Sequence, residues 1–251
     1  MSMRIFNGVE NLEELNTPVL TIGTFDGIHL GHQKIIKNLI REARSTNSDS
    51  VLLTFFPHPR MVLFPENNNL QLIQTQEEKY NKLAELGLKN TIVQPFSKEF
   101  SKLTALEFIE EIIVNKIRAK KIIIGYDHQF GNSREGNIDF LREYSDKFGY
   151  EVIEIPAKEI DEINVSSTKI RTALNEGDIQ IANLYLNSPF EINGIVVHGN
   201  KIGRSINFPT ANIEIDDKSK IIPKNGVYAV KGFLNEKKPT IFKLKYFPNI
   251  S

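Results

Sequence analysis

The run Gly23-Thr-Phe-Asp-Gly-Ile-His-Leu-Gly-His32 places two imidazoles three residues apart at the start of an amphipathic stretch. If a helix begins at about Gly31, this spacing sets His29 and His32 on one face of its N-terminus. Unpaired N–H groups and the positive dipole end favour an anion there. Two imidazole donors over that hole suit a phosphate. Gly23, Gly27 and Gly31 allow close backbone approach, although the run is neither a Walker A loop nor G-x-G-x-x-G. A glycine-rich turn with incidental histidines fits the same spacing, and a metal pair would lack a third His or Cys ligand nearby. A second cluster, Ser166-Ser-Thr-Lys-Ile-Arg171, offers three hydroxyls and two cations at another helix start. A plain N-cap needs one hydroxyl, worth about 1 kcal/mol. Ser167, Thr168, Lys169 and Arg171 then make a second anion site suited to a triphosphate. Pro57-His58-Pro59 is a rigid turn whose shape could wall a flat ligand. The loop Gly125 to Gly131 presents Tyr126, Asp127, His128 and Phe130.

These segments need elements to hold them. Short apolar runs at Val19-Leu-Thr-Ile-Gly, Val51-Leu-Leu-Thr-Phe-Phe, Thr91-Ile-Val, Lys121-Ile-Ile-Ile-Gly and Glu151-Val-Ile-Glu-Ile-Pro read as strands. Gly31 to Arg44, Gln76 to Leu86, Thr104 to Asn115 and Asp139 to Phe148 carry apolar residues at helical steps. The alternation predicts a doubly wound, mainly parallel α/β sheet, with ligands beyond the carboxyl ends of its strands. After Ser166 the pattern changes. Ser167 to Glu176 and Ile179 to Leu186 read as two short helices, and Asn187-Ser-Pro189 as a linker. Phe190 to His198, Ala211 to Ile215 and Gly226 to Phe233 read as a small antiparallel β unit. The expected domains are 1–186 and 187–251.

Composition narrows the partners. The 251 residues hold 31 Lys plus Arg against 31 Asp plus Glu, 40% apolar residues and no cysteine. Zero net charge supplies no basic field for nucleic acid. Absent cysteines exclude disulfides and thiolate chemistry. No apolar run approaches the roughly 18 residues of a membrane span, and the start lacks a signal-peptide h-region, so a cytoplasmic location is expected.

The wording G-T-F-D-G-I-H-L-G-H resembles the H-x-G-H nucleotidylyltransferases, and more closely the bacterial bifunctional riboflavin kinase/FMN adenylyltransferase (FAD synthetase) family. Thr54-Phe-Phe-Pro-His-Pro-Arg60, Gly125-Tyr-Asp-His-Gln-Phe-Gly131 and Val165-Ser-Ser-Thr-Lys-Ile-Arg171 match its adenylyltransferase half in order. Val197 to Asn212 and Pro223-Lys-Asn-Gly-Val-Tyr228 match its kinase half. All five histidines, His198 included, fall within these segments. The resemblance implies a Rossmann-like domain that transfers adenylyl from ATP to FMN, with Mg2+ on the triphosphate. It implies His29, His32 and Arg171 as catalytic groups, and Gly23, Phe25, Gly31, Asp127, Ser167 and Thr168 as ATP or phosphate contacts. Pro57, His58, Pro59 and Phe130 would contact flavin, although His128 stands where the family usually has an aromatic. In the kinase half, Gly199, Gly203, Thr210 and Asn212 would hold nucleotide and Mg2+, the metal through Thr210, with riboflavin as substrate. A non-catalytic flavin or nucleotide sensor, or an adenylyltransferase for another phosphorylated small molecule, would share this fold.

The kinase half also departs from the family. Asn207 replaces a usual Gly, and Lys237 to Ser251 matches none of its motifs. An incomplete antiparallel barrel is therefore expected, with the resemblance ending at about Gly232. A truncated piece, a shifted frame and a natural short form all produce such an ending.

Overall fold

The computed structural model describes residues 2–67, 70–156, 165–198, 211–235 and 238–246. The chain separates into two compact units. The first comprises Met1–Leu70 and Gln76–Val165, the second Gln71–Thr75 and Ser166–Ser251.

In the first unit six strands, β1 (Arg4–Asn7), β2 (Val19–Ile22), β3 (Ser50–Phe56), β4 (Asn90–Pro95), β5 (Lys121–Gly125) and β6 (Glu151–Ile155), form one sheet in the order β1-β4-β3-β2-β5-β6. Every pairing is parallel. All four residues of β2 are buried, as expected for a central strand covered on both faces. Alternation along the strands divides the core in two. Leu20, Val51 and Ile122 face one cluster, and Val19, Leu52 and Ile123 face the other.

The second of these faces is covered by α1 (Leu30–Ser45), through Ile36, Leu39 and Ala43, and by α3 (Gln76–Glu85), through Leu83. Short α2 (Pro59–Leu63) follows β3. On the opposite face, α4 (Ala105–Glu107) starts in a capping box between Thr104 and Glu107, then widens into a π-helix over Phe108–Ile117. Its buried residues, Phe108, Ile109, Ile112, Ile113 and Ile117, recur at four- and five-residue steps, which suits the wider turn. Helix α5 (Ile138–Phe148) adds Ile138 and Leu141 to that face. From β2 the chain runs outward through β3 to β4 and then returns to β5 on the other side of β2. The order therefore reverses between β2 and β5, the place where open α/β sheets bind ligands beyond their carboxyl ends. Strand β1, pairing β4 at the edge, was not expected from the sequence. Phe6 is its one buried residue, too little for an apolar run.

The second unit contains α6 (Ser167–Glu176), α7 (Ile179–Leu186) and an antiparallel sheet. Its strands β7 (Glu191–Val197), β8 (Asn212–Glu214), β9 (Val230–Asn235) and β10 (Lys238–Tyr246) lie in the order β8-β7-β10-β9. The expectation that the chain leaves the fold beyond Gly232 is corrected here. Strand β10 pairs with both β7 and β9, with Leu244 opposite Ile192 on one side and Gly232 on the other. Matching motif words missed it, while Thr240-Ile-Phe-Lys-Leu-Lys-Tyr246 has the β-branched and aromatic content of a strand. Among the described residues no helix is long and apolar enough to cross a membrane.

Candidate active site

The loop from Gly23 to His29 leaves β2 at the reversal point. Phe25 and Ile28 adopt positive φ values of 48° and 38°, a left-handed conformation costing about 1–3 kcal/mol per residue. Both side chains are buried in the core between the sheet, α1 and α3. Burying one such side chain contributes about 1.5–3 kcal/mol, so the apolar anchors offset the strain and fix the loop. The buried Gln33 amide donates to the Ile28 carbonyl at 2.9 Å. At the loop's start the Gly23 amide donates to the Leu53 carbonyl of β3.

This anchoring delivers His29 to the N-cap of α1. Its Nδ1 accepts the His32 backbone N–H at 3.3 Å, which places the neutral ring's proton on Nε2. His29 Nε2–H is then a donor. Burial lowers the His29 pKa to about 4, so the ring stays neutral at pH 7. The two imidazoles stack with centroids 3.6 Å apart and planes 16° from parallel, and Phe25 lies 4.7 Å from His32 on a tilt. His32 is held far below its ordinary pKa, first by burial, then by His29 and Lys79. Among the described residues its buried Nδ1 has no hydrogen-bond partner. Gly31 faces this pair. A Cβ there would lie 3.2 Å from the His29 ring, so the glycine is what lets the imidazole lie over the first turn.

Two polar side chains to which the sequence assigned no role, Lys79 and Thr54, support the loop. Lys79 of α3 donates from Nζ to the Thr24 carbonyl at 3.1 Å and to Thr54 Oγ1 at 3.2 Å. Thr54 Oγ1 also donates to that carbonyl at 3.1 Å. Burial lowers the Lys79 pKa to about 8, opposed by the charge of Asp26. A signal was available, because Lys79 stands four residues before Leu83 on the buried face of an amphipathic helix.

On the other side of the reversal, β5 ends at Gly125 and its loop turns at once, the His128 N–H bonding the Gly125 carbonyl at 3.1 Å. Tyr126 and Asp127 are exposed. Burial lowers the His128 pKa to about 4, opposed by Asp127. Among the described residues His128 Nε2 is buried without a hydrogen-bond partner. Phe130 is 8% exposed and packs 5.6 Å from Phe108, so its ring belongs to the core and anchors the loop. Gly131 has φ 75°, and a Cβ there would come within 2.8 Å of the Ala105 backbone. Pro57, His58 and Pro59 follow β3 after a cis Phe56–Pro57 bond. His58 caps α2, its Nδ1 accepting the Arg60 N–H at 3.2 Å.

The first unit thus gathers Gly23, Phe25, His29, Gly31 and His32 on one loop, with the Asp127 and Pro57 loops at the carboxyl ends of neighbouring strands. Ser167, Thr168 and Arg171 belong to the second unit. There Ser166 is the residue that caps α6, its Oγ accepting the Lys169 N–H at 3.3 Å, which leaves Ser167 and Thr168 in the first turn beyond it. Arg171 Nε donates to the Gln71 carbonyl at 2.7 Å. Lys220 Nζ donates to the Ile73 carbonyl at 2.7 Å and lies 4.4 Å over the Phe190 ring. Asn212 opens β8 opposite Val197. Gly199, Gly203 and Thr210 lie outside the described residues. Among the described residues no cluster of three His, Asp or Glu side chains is arranged to hold a metal.

Two family models match the chain: FAD synthetase over residues 11–169 and riboflavin kinase over residues 186–250. The second match carries the resemblance past Gly232 into the segment expected to diverge. Relatives called bifunctional riboflavin kinase/FMN adenylyltransferase are 38% identical in Buchnera aphidicola, where 98% of this chain covers 74% of the relative. One in Haemophilus influenzae is also 38% identical over 91% of this chain and 74% of its own. One in Bacillus subtilis is 37% identical over 89% and 70%. A solved structure described as a macrolide-efflux protein from Streptococcus pneumoniae superposes with a TM-score of 0.81 at 29% identity, covering all of this chain and 86% of that one. With its parallel sheet, H-x-G-H loop and second β unit, this chain belongs to the bifunctional riboflavin kinase/FMN adenylyltransferase family.

Proposed function

We propose that the chain makes FAD, transferring the adenylyl group of ATP to FMN at the carboxyl edge of the parallel sheet. The observation that carries this is the stacked, neutral His29–His32 pair at the start of α1, with the His29 tautomer set by the His32 amide. A phosphate oxygen of FMN attacks the α-phosphorus of ATP in line. The new P–O bond forms as the bond to the bridging oxygen breaks, and pyrophosphate leaves with the electron pair. The attacking oxygen is already anionic, so positioning and charge stabilisation matter more than a general base.

His29 and His32 donate to oxygens of the α-phosphate, whose charge grows in the transition state. Gly23, Phe25 and Gly31 shape the phosphate loop. Ser167, Thr168 and Arg171 hold the triphosphate, and Asp127 contacts the nucleotide. Pro57, His58, Pro59 and the Phe130 loop border the flavin. Magnesium, bound to the triphosphate, neutralises its charge. The division of activities falls at 186–187, supported by the end of one family match at 169 and the start of the other at 186. A cytoplasmic location is part of this proposal.

Incubation with ATP, magnesium and FMN, with products separated by chromatography, tests this reading. FAD and pyrophosphate are expected. Folded protein that binds FMN yet forms no FAD would favour a sensor on the same fold, and turnover of a different phosphorylated acceptor would reassign the substrate. For the C-terminal unit, the riboflavin kinase match supports phosphorylation of riboflavin, with Gly199, Gly203, Thr210 and Asn212 holding nucleotide and magnesium. Formation of FMN from riboflavin and ATP is its test.

A further inference from the structure

We propose that Lys79 is a positioning residue for adenylyl transfer, its buried ammonium fixing the Thr24 carbonyl and setting the field in which His32 meets the α-phosphate. This rests on the adenylyl-transfer reading above. Lys79 is 5% exposed, and an ammonium in such a place is costly unless its donors are met. A buried apolar residue would be the cheaper occupant, as Leu83 is one turn further along the same face. Two of the three Nζ protons go to Thr24 O and Thr54 Oγ1. The Thr24 carbonyl accepts from α3 and β3 together, so two elements clamp the turn that carries positive-φ Phe25 and leads into His29.

The ammonium also acts on the site by its charge. The titratable groups that face it are Asp26 from the loop, which favours the cation, and His32 from α1, which is disfavoured as imidazolium. Lys79 thereby keeps His32 an uncharged donor next to an anionic substrate while adding positive potential of its own. With the ammonium lowered to about 8, that potential fades as the pH rises through 8.

The test compares the wild-type chain with Lys79→Met and Lys79→Arg. Three quantities are read: kcat and KM for ATP and FMN from pH 6.5 to 9, thermal melting, and the His32 titration by imidazole NMR. We expect the wild-type kcat to fall as the pH rises through about 8. Lys79→Met should lose about 100-fold in kcat, the scale of a sub-ångström to 1 Å misplacement, with both KM values changed less than about threefold. Its alkaline limb should vanish, and its His32 should titrate higher than in the wild type, because the like charge of Lys79 is gone. Lys79→Arg should recover a large part of the rate. A Met variant with wild-type kcat and an unchanged His32 titration overturns the proposal. So does a variant whose rate loss only tracks its folded fraction and is not rescued by Arg. If Lys79→Met does not fold, the wild-type alkaline limb and its displacement in Lys79→Arg decide the matter, and absence of both overturns it. A wild-type chain that forms no FAD refutes adenylyl transfer instead, while the NMR titration still reports whether Lys79 acts on His32.

Discussion

Replacing His29 separates its two jobs, capping a helix and donating to a phosphate. His29→Ala removes the Nδ1 acceptor of the His32 N–H and the ring stacked 3.6 Å away. Loss of an N-cap costs about 1 kcal/mol, and loss of a stacked ring pair about 0.5–1.5 kcal/mol. Some is returned because the buried imidazole no longer has to stay neutral. The net should lower the melting temperature by about 3–9 °C in a chain of this size. Loss of the Nε2–H donor should cost about 100- to 1000-fold in kcat. His29→Asn restores a good cap without restoring the ring donor. It is therefore expected to regain the capping share of the melting temperature, about 2–4 °C on the same scale, while its turnover stays as low as that of the Ala variant. Differential scanning fluorimetry and chromatographic assay of FAD read the two effects independently. If the Asn variant regains both stability and turnover, the histidine is only a cap, and the role given to its Nε2–H is wrong.

Acid should destabilise the fold through its buried imidazoles. The folded pKa values of His29 and His128 lie near 4, below the unfolded value of about 6.5. The unfolded state binds more protons on acidification, so stability is lost as the pH falls from about 6.5 and the loss levels off below about 4. Urea midpoints between pH 7.5 and 4 measure this, and a flat profile would contradict the burial argument. Gly131→Ala forces a Cβ to within 2.8 Å of the Ala105 backbone at φ 75°. It should cost about 1–3 kcal/mol and weaken FMN binding, read by melting and by quenching of flavin fluorescence. If magnesium arrives with ATP, as proposed, chelating it should abolish FAD formation yet leave the melting temperature unchanged; a shift in melting would reveal a resident metal.

Most of the fold was legible because its boundaries carry local chemistry. Helices α6 and α7 match the expected spans 167–176 and 179–186, since Ser166 and Asp178 cap their starts and Gly177 and Asn187 take left-handed φ at their ends. The buried strands were legible as apolar runs, whereas β1 offers one inward side chain and gave no periodic signal. The H-x-G-H loop announced itself through residue types at helical spacing. Its supports did not. The positive φ of Phe25 and Ile28 is imposed by packing against α1 and α3, partners brought in by the fold. Lys79 was given no role because its acceptors, Thr24 and Thr54, lie 55 and 25 residues away.

The five residues Gln71–Thr75 belong to the second unit, while both of their flanks belong to the first. Leu72 forms a parallel bridge to Lys220, and Gln71 and Ile73 give their carbonyls to Arg171 and Lys220. The gene is consequently not a simple tandem of cassettes. A fragment ending at Val165 would carry a stretch whose hydrogen-bond donors had been left behind, and a fragment starting at Ser166 would leave Arg171 and Lys220 without those acceptors. Exchange of either half with a relative must therefore transplant two separate stretches of coding sequence, which binds the halves into one unit of inheritance more firmly than their separate chemistries require.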